Sequence, residues 1–86
     1  MKVELTMEAR NVEDKSDYFL KKELEMDVIP DIGEEICEEL NEDDEKAIFL
    51  KVIKRTFYLR GYVHITLEHC SINNEKLKRL KEFGWI

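Results

Sequence analysis

His64, Glu68 and Cys70 fall on one parity of a single extended stretch, and imidazole, carboxylate and thiolate are all zinc ligands. The cysteine spacing speaks against a metal. Cys37 and Cys70 lie far apart, without the tight pairing that closes a structural zinc site. Nucleophilic chemistry fares no better. Cys70 follows His69 directly, and neighbours on a strand point to opposite faces, so the two cannot form a thiolate–imidazolium pair. Cys37 sits among Glu34, Glu35, Glu38 and Glu39, whose charge opposes a thiolate. Only a fold that brought Cys37 to His64 would reopen a thiol- or metal-dependent hydrolase. The carboxylates come in runs such as Glu42-Asp43-Asp44-Glu45, which read as solvated rather than as an acid held in an apolar pocket, and no calcium-loop spacing occurs. No catalytic residue, metal or cofactor is therefore expected.

A different chemistry is written between residues 46 and 67. Lys46, Lys51, Lys54, Arg55 and Arg60 alternate with Phe49, Phe57, Tyr58 and Tyr62, and no Asp or Glu interrupts them. Cations interleaved with rings are what single-stranded nucleic acids bind. The balance of the whole chain opposes that reading. Residues 1–45 carry 17 Asp and Glu against 5 Lys and Arg, and the net charge overall is −6. The acidic half packed beside the basic half would neutralise it.

These residues need strands to place them. Residues 2–10 alternate strictly, with Val3, Leu5, Met7 and Ala9 on one side and charges on the other, the mark of a half-buried strand. Residues 11–17 are polar and read as a loop. Residues 17–29 fit a strand through Tyr18, Leu20, Leu24, Met26 and Val28, with a helix through Leu20, Leu24 and Val28 as the alternative. Pro30 pushes Ile29 toward extended geometry and favours the strand. Pro30-Asp31-Ile32-Gly33 is a turn. Residues 34–40 fit either a short strand or a short helix, since Asp31 and Glu34 have capping-box spacing. Residues 41–45 form an acidic loop.

The best-specified element is a hairpin over residues 47–70. A three-residue Leu59-Arg60-Gly61 loop, with glycine in the left-handed position, sets Tyr58 opposite Tyr62, Thr56 opposite His64 and Lys54 opposite Thr66. On the other face it sets Phe57 opposite Val63 and Ile53 opposite Leu67. That register keeps apolar with apolar and predicts Ile53, Phe57, Val63, Ile65 and Leu67 inward. It leaves Lys54, Tyr58, Tyr62 and His64 together on the opposite face, with Arg60 at the tip. A helix follows over 74–83, capped by Asn73, stapled by Ile72 onto Leu77, and closed by Gly84 with Trp85 folding back on Leu80.

Eighty-six residues make one domain, 1–86, able to bury roughly 60–65% of its unfolded surface. The N-terminus alternates instead of running apolar, and no window approaches the ~20 apolar residues of a membrane span. Two cysteines are too few for a disulfide scaffold, so a reducing cytoplasm is expected.

Across about half the chain the order of features carries a resemblance. Val28-Ile29-Pro30-Asp31-Ile32-Gly33-Glu34-Glu35-Ile36 is followed by Phe49-Leu50-Lys51-Val52, with Arg55 and Phe57 completing a V-x-x-R-x-F strand, and then by Val63-His64-Ile65-Thr66-Leu67-Glu68. This resembles the core of small bacterial and phage proteins with curled SH3-like sheets, and implies no active site. The expected fold is α+β and mostly β. It is a strongly curved antiparallel sheet, or small SH3-like barrel, of four to five strands with one C-terminal helix. The expected function is a non-enzymatic protein-interaction module, monomeric or homodimeric, with a protein partner. The alternative is single-stranded nucleic-acid binding through Lys54, Tyr58, Arg60, Tyr62 and His64.

Overall fold

The alternating N-terminal segment forms β1 (Lys2–Asn11), and the rest of the sheet is built around it. The computed structural model describes residues 1–40 and 47–86. It adds β2 (Asp17–Glu25), β3 (Glu35–Glu38), β4 (Ile48–Tyr58), β5 (Tyr62–Leu67), β6 (Cys70–Ile72) and α1 (Asn74–Glu82). The sheet order is β2-β1-β5-β4-β3, with β6 also on β1. The expected class holds: a curled, mostly-β half-barrel with one short C-terminal helix.

The sheet is mixed, however, and has six strands. β1 runs antiparallel to β2 but parallel to β5 over Lys2–Thr6 and parallel to β6 over Ala9–Asn11. One strand thus takes two successive partners along one side, with Glu68 and His69 spanning the change. That step resets the parity expected for His64, Glu68 and Cys70. His64 faces outward, whereas Cys70, opposite Ala9, is packed against the core with its thiol 3.8 Å from the Met7 sulfur.

Residues 17–29 resolve as strand through Glu25. Tyr18, Leu20, Lys22 and Leu24 face the core side, and Val28 lies exposed in the bend beyond it. Residues 34–40 resolve as the edge strand β3. Half of the capping box forms, Glu34 accepting from the Asp31 amide at 3.0 Å, but the Glu34 amide donates to the Asp31 backbone carbonyl at 3.1 Å and not to its side chain. They close a turn instead of starting a helix. That turn hangs on β4: the Gly33 amide donates to the Val52 carbonyl at 2.8 Å, the Val52 amide donates to the Glu34 carbonyl at 2.9 Å, and Arg55 reaches back to Asp31 at 2.7 Å and the Pro30 carbonyl at 3.2 Å. The two halves of the resemblance are therefore in contact. The expected acidic loop at 41–45, and Lys46, lie outside the described residues.

The hairpin register is as expected from Tyr58↔Tyr62 down to Lys54↔Thr66. Below that a bulge intervenes, and Leu67 pairs with Val52 in place of Ile53. The cause is a parity conflict within β4. Ile48, Leu50 and Val52 point inward, so an unbroken strand would drive Lys54 into the core. One extra residue, Ile53, shifts the phase and turns Lys54 out. Neither Ile53 nor Phe57 is a core residue: the bulge turns Ile53 out, whereas Phe57, opposite Val63, keeps the inner parity but lies near the hairpin tip, beyond the core. They are 54% and 56% exposed. Val63, Ile65 and Leu67 are buried as expected.

The core lies between the inner sheet face and α1, where Leu77, Leu80 and Trp85 meet Val3, Leu5, Met7, Ile65 and Leu50. Asn73 caps α1 by accepting from the Lys76 amide at 2.8 Å, and Ile72 and Leu77 are both buried. At the other end Gly84 takes φ 98°, and the Trp85 and Gly84 amides reach Leu80 and Lys81. That is the expected Schellman closure. It drives Trp85 between the open edges β2 and β3, where its indole donates to Glu38 at 2.9 Å. Glu38 in turn pairs with Lys22 at 2.5 Å, bridging the two edges of the half-barrel. Ile86 exchanges two backbone hydrogen bonds with Lys21 on the β2 edge.

Candidate interaction surface

The side chains with exposed chemistry gather on the outward face of the sheet, opposite α1. On the hairpin, the pairings Tyr58↔Tyr62, Thr56↔His64 and Lys54↔Thr66 put Lys54, Tyr58, Tyr62 and His64 on that one face. Tyr58 and Tyr62 stack with ring centroids 4.6 Å apart and planes 7° from parallel. The rings therefore spend one π-face each on the other. His64 is held by Thr6, whose Oγ1 lies 3.0 Å from Nε2. Thr6 itself is buried, so this bond pins the imidazole to the centre of the sheet. Arg60 occupies the exposed tip, where Gly61 supplies φ 104°.

Two members of the basic and aromatic run do not join this face. Arg55 shares the inner side with Ile65, packs over the Phe57 ring at 5.2 Å, and spends its charge on Asp31. The neighbouring strand brings acids. Glu4 lies beside His64 on β1, and Glu23 beyond it on β2. Charge neutralisation by the N-terminal half is thus real at this edge of the face. It does not cross β5 to Lys54, although from the other side Asp31 pairs with Arg55 and Glu35 lies opposite Lys51 on β4.

The surface also has a part that the charge pattern did not reveal. The bulge sets Ile53 and Lys54 side by side, both exposed. Across the β5-to-β6 step stands Phe19, 65% exposed on β2. Between them lies an open hollow of about 280 Å³ lined by Phe19, Ile53, Thr66, Leu67, Glu8 and His69, among others. It is smaller and more open than the pockets that enclose small molecules. Phe19 carried a legible signal, as the one ring among Asp17, Lys21, Glu23 and Glu25 on the charged side of its strand. The signal for Ile53 lay in β4 as a whole, where the core parity read from Ile48 and the turn register read from Tyr58 disagree by one residue.

The residues considered for metal or thiol chemistry are not assembled. Cys37 pairs with Phe49 on β4 and His64 with Thr56. Seven strand positions separate those partners, roughly 23 Å along β4 at ~3.3 Å per residue. Burial pushes the Cys70 thiol above its ordinary pKa, nearby Glu68 adds to this, and Lys76 opposes it. No cluster of three His, Cys, Asp or Glu positioned to hold a metal occurs among the described residues. Nor, among them, is any helix long and apolar enough to cross a membrane.

Tyr18, on the core side, donates to Asp14 at 2.7 Å. That bond holds the Asp14 carboxyl below its ordinary range, helped by the Ser16 amide, and pushes the Tyr18 hydroxyl up. Compared with protein-family models, with curated proteins and with solved structures, the chain matches none.

Proposed function

We propose that this chain is a non-enzymatic protein-interaction module that docks a segment of its partner on the outward face of β4 and β5. The observation that supports this is the bulge at Ile53. It turns an aliphatic side chain out beside Lys54, next to an exposed Phe19 and an open hollow. Bulges re-aim side chains, and apolar groups that face water together mark interaction surfaces. The reading takes the half-barrel as SH3-like, in keeping with the resemblance of its turn and strands, and places the protein in a bacterial cytoplasm. Small curled sheets commonly act through one exposed face.

The stacked Tyr58 and Tyr62 beside Lys54 and Arg60 favour a second reading, a platform for single-stranded nucleic acid. Glu4 and Glu8 on the same face count against it, because a phosphate backbone crossing the sheet would meet them. The experiment that separates the two is capture from a cell lysate on the immobilised chain, with and without nuclease, beside a Phe19→Ser/Ile53→Ser variant. The interaction reading expects protein partners that survive nuclease and are lost with the variant. Partners lost to nuclease would move the surface to nucleic acid. Capture indifferent to the variant would refute the docking face.

A further inference from the structure

The outward face is polarised, and its polarity specifies what it can bind. The acids of this face lie on the strands that flank the hairpin: Glu4, Glu8, Glu23 and Glu25 on β1 and β2, and Glu35 on β3. From Ile48 to Leu67 the chain has no Asp or Glu. Several cations are already held by carboxylates. Lys2 pairs with Glu23, Arg10 with Asp17, Lys22 with Glu38 and Arg55 with Asp31. Among the described residues, no carboxylate pairs with Lys54 or Arg60. Lys51, further along β4, has Glu35 as its cross-strand neighbour. Lys21, opposite Thr6 on β2, is likewise unpaired among the described residues, but it stands among the acids of β1 and β2, so Lys54 and Arg60 are the cations of the acid-free hairpin left for an external anion.

Their positions match an extended peptide. Lys54 lies four positions, roughly 13 Å at ~3.3 Å per residue, from Tyr58 at the end of β4, and Arg60 stands in the turn just beyond, a span an extended peptide of about five residues covers. Ile53 adjoins Lys54, so an apolar anchor in the hollow would sit next to a carboxylate. The hollow is lined largely by apolar groups and suits an aliphatic or aromatic side chain. A base would need a free flat ring, and the two tyrosines already cover each other on one side.

We propose that the partner segment is an acidic, apolar peptide, with Asp or Glu over Lys54 and Arg60 and a leucine- or phenylalanine-like anchor between Ile53 and Phe19. This rests on the docking-face reading above and adds the chemistry of the partner.

The test is selection of a random phage-displayed peptide library on the full chain. Selected peptides are then measured by fluorescence anisotropy against wild type, Lys54→Glu, Arg60→Glu and Ile53→Ser, with labelled oligothymidylate as the competing probe. All three side chains are exposed, and far-UV circular dichroism checks that each variant is folded. The expected result is enrichment of Asp or Glu together with Leu or Phe. Affinity should fall about tenfold or more in Lys54→Glu, and rising salt should weaken binding. Neutral or basic peptides that still need Ile53 would overturn the acidic partner and leave the docking face standing. Peptides indifferent to Ile53, or no selected binder at all, would overturn both. Oligothymidylate bound as tightly as the best peptide, and lost in Lys54→Glu, would replace the peptide with nucleic acid.

Discussion

Replacing Glu38 with alanine should cost far more stability than an ordinary surface ion pair, because Glu38 is the bridge that closes the half-barrel. Its Oε1 accepts from both Lys22 and the Trp85 indole. The Lys22 and Glu38 side chains are 22% and 19% exposed. An indole hydrogen bond to a charged acceptor contributes ~1.5–3 kcal/mol. The ion pair falls between exposed pairs, worth at most ~1 kcal/mol, and buried ones, whose breakage costs ~3–5 kcal/mol. Both contacts use one oxygen, so they do not add, and the expected loss is about 2–4 kcal/mol. Against a total on the order of 4–13 kcal/mol for a chain of this size, that is a large fraction. It corresponds to a fall in Tm of about 10–25 °C. Trp85 is the only tryptophan, so its fluorescence in a urea titration reports both the loss and the change at the seam. Glu23→Ala is the control. Its partner Lys2 is 3.6 Å away, both ends are more than half exposed, and the change should stay below about 0.5 kcal/mol. Lys22→Met in the Glu38→Ala background should recover part of the loss by removing the stranded cation. A Glu38→Ala loss below about 1 kcal/mol, with Trp85 emission unchanged, would refute the bridge.

The remaining predictions probe other joints of the fold. Gly84→Ala should cost ~1 kcal/mol in urea unfolding, because φ is 98° while the space for a Cβ meets nothing closer than 3.7 Å. Lys15, at φ 59°, should behave in the opposite way, and Lys15→Gly should gain about 0.5–1 kcal/mol. Tyr18→Phe should return the Asp14 carboxyl toward its ordinary pKa, read by carbon-13 titration. Since the folded pKa of Asp14 is depressed, its contribution is present above the unfolded value of ~3.9 and lost as pH falls through the folded one. The raised Tyr18 pKa gives the mirror case, a contribution present below ~10 and lost as pH rises past it. Cys70, half-buried and raised, should react with a disulfide reagent about tenfold slower than exposed Cys37, compared in single Cys→Ser variants, and the difference should vanish in urea.

Local signals were legible wherever one residue pattern met one constraint. The alternation of β1, the Asn73 cap and the Gly84 closure of α1 each depend on a few adjacent residues, and each folds as its residues imply. The Asp31 and Glu34 spacing shows the limit of such signals. One capping-box bond forms, from the Asp31 amide to the Glu34 carboxylate, yet the backbone bonds of Gly33 and Glu34 to Val52 recruit the segment to β4. The parallel pairing of β1 was invisible for a related reason. Nothing within residues 2–11 distinguishes a parallel neighbour from an antiparallel one when that neighbour comes from residues 62–72.

The bulge makes the same point about the candidate surface, and in sharper form. β4 is apolar on both parities: Ile48, Leu50 and Val52 on one, Phe49, Ile53 and Phe57 on the other. Such a strand must be buried on both faces, or else change phase. The turn register, read backward from Tyr58, and the core parity, read forward from Ile48, disagree by one residue. That disagreement was present in the sequence as two incompatible assignments of the inner face. Reconciling them with a single inserted residue requires that the extra residue lie between Val52 and Lys54. Any earlier position would expose Leu50 or Val52, and any later one would bury Lys54. The residue expelled is therefore Ile53, and it is expelled onto the face that already holds Lys54 and Tyr58. The candidate surface is thus a consequence of how β4 satisfies the core. Removing the need for the bulge, by a deletion of Ile53 that lets Val52 and Lys54 follow one another, should test the link. The hairpin should keep its register, Val52 inward opposite Leu67 and Lys54 outward opposite Thr66, with no bulge and a stability change of about 1 kcal/mol or less, since only an exposed side chain is lost. A deletion variant that lost several kcal/mol, or that buried Lys54, would show that the phase conflict does not set the bulge.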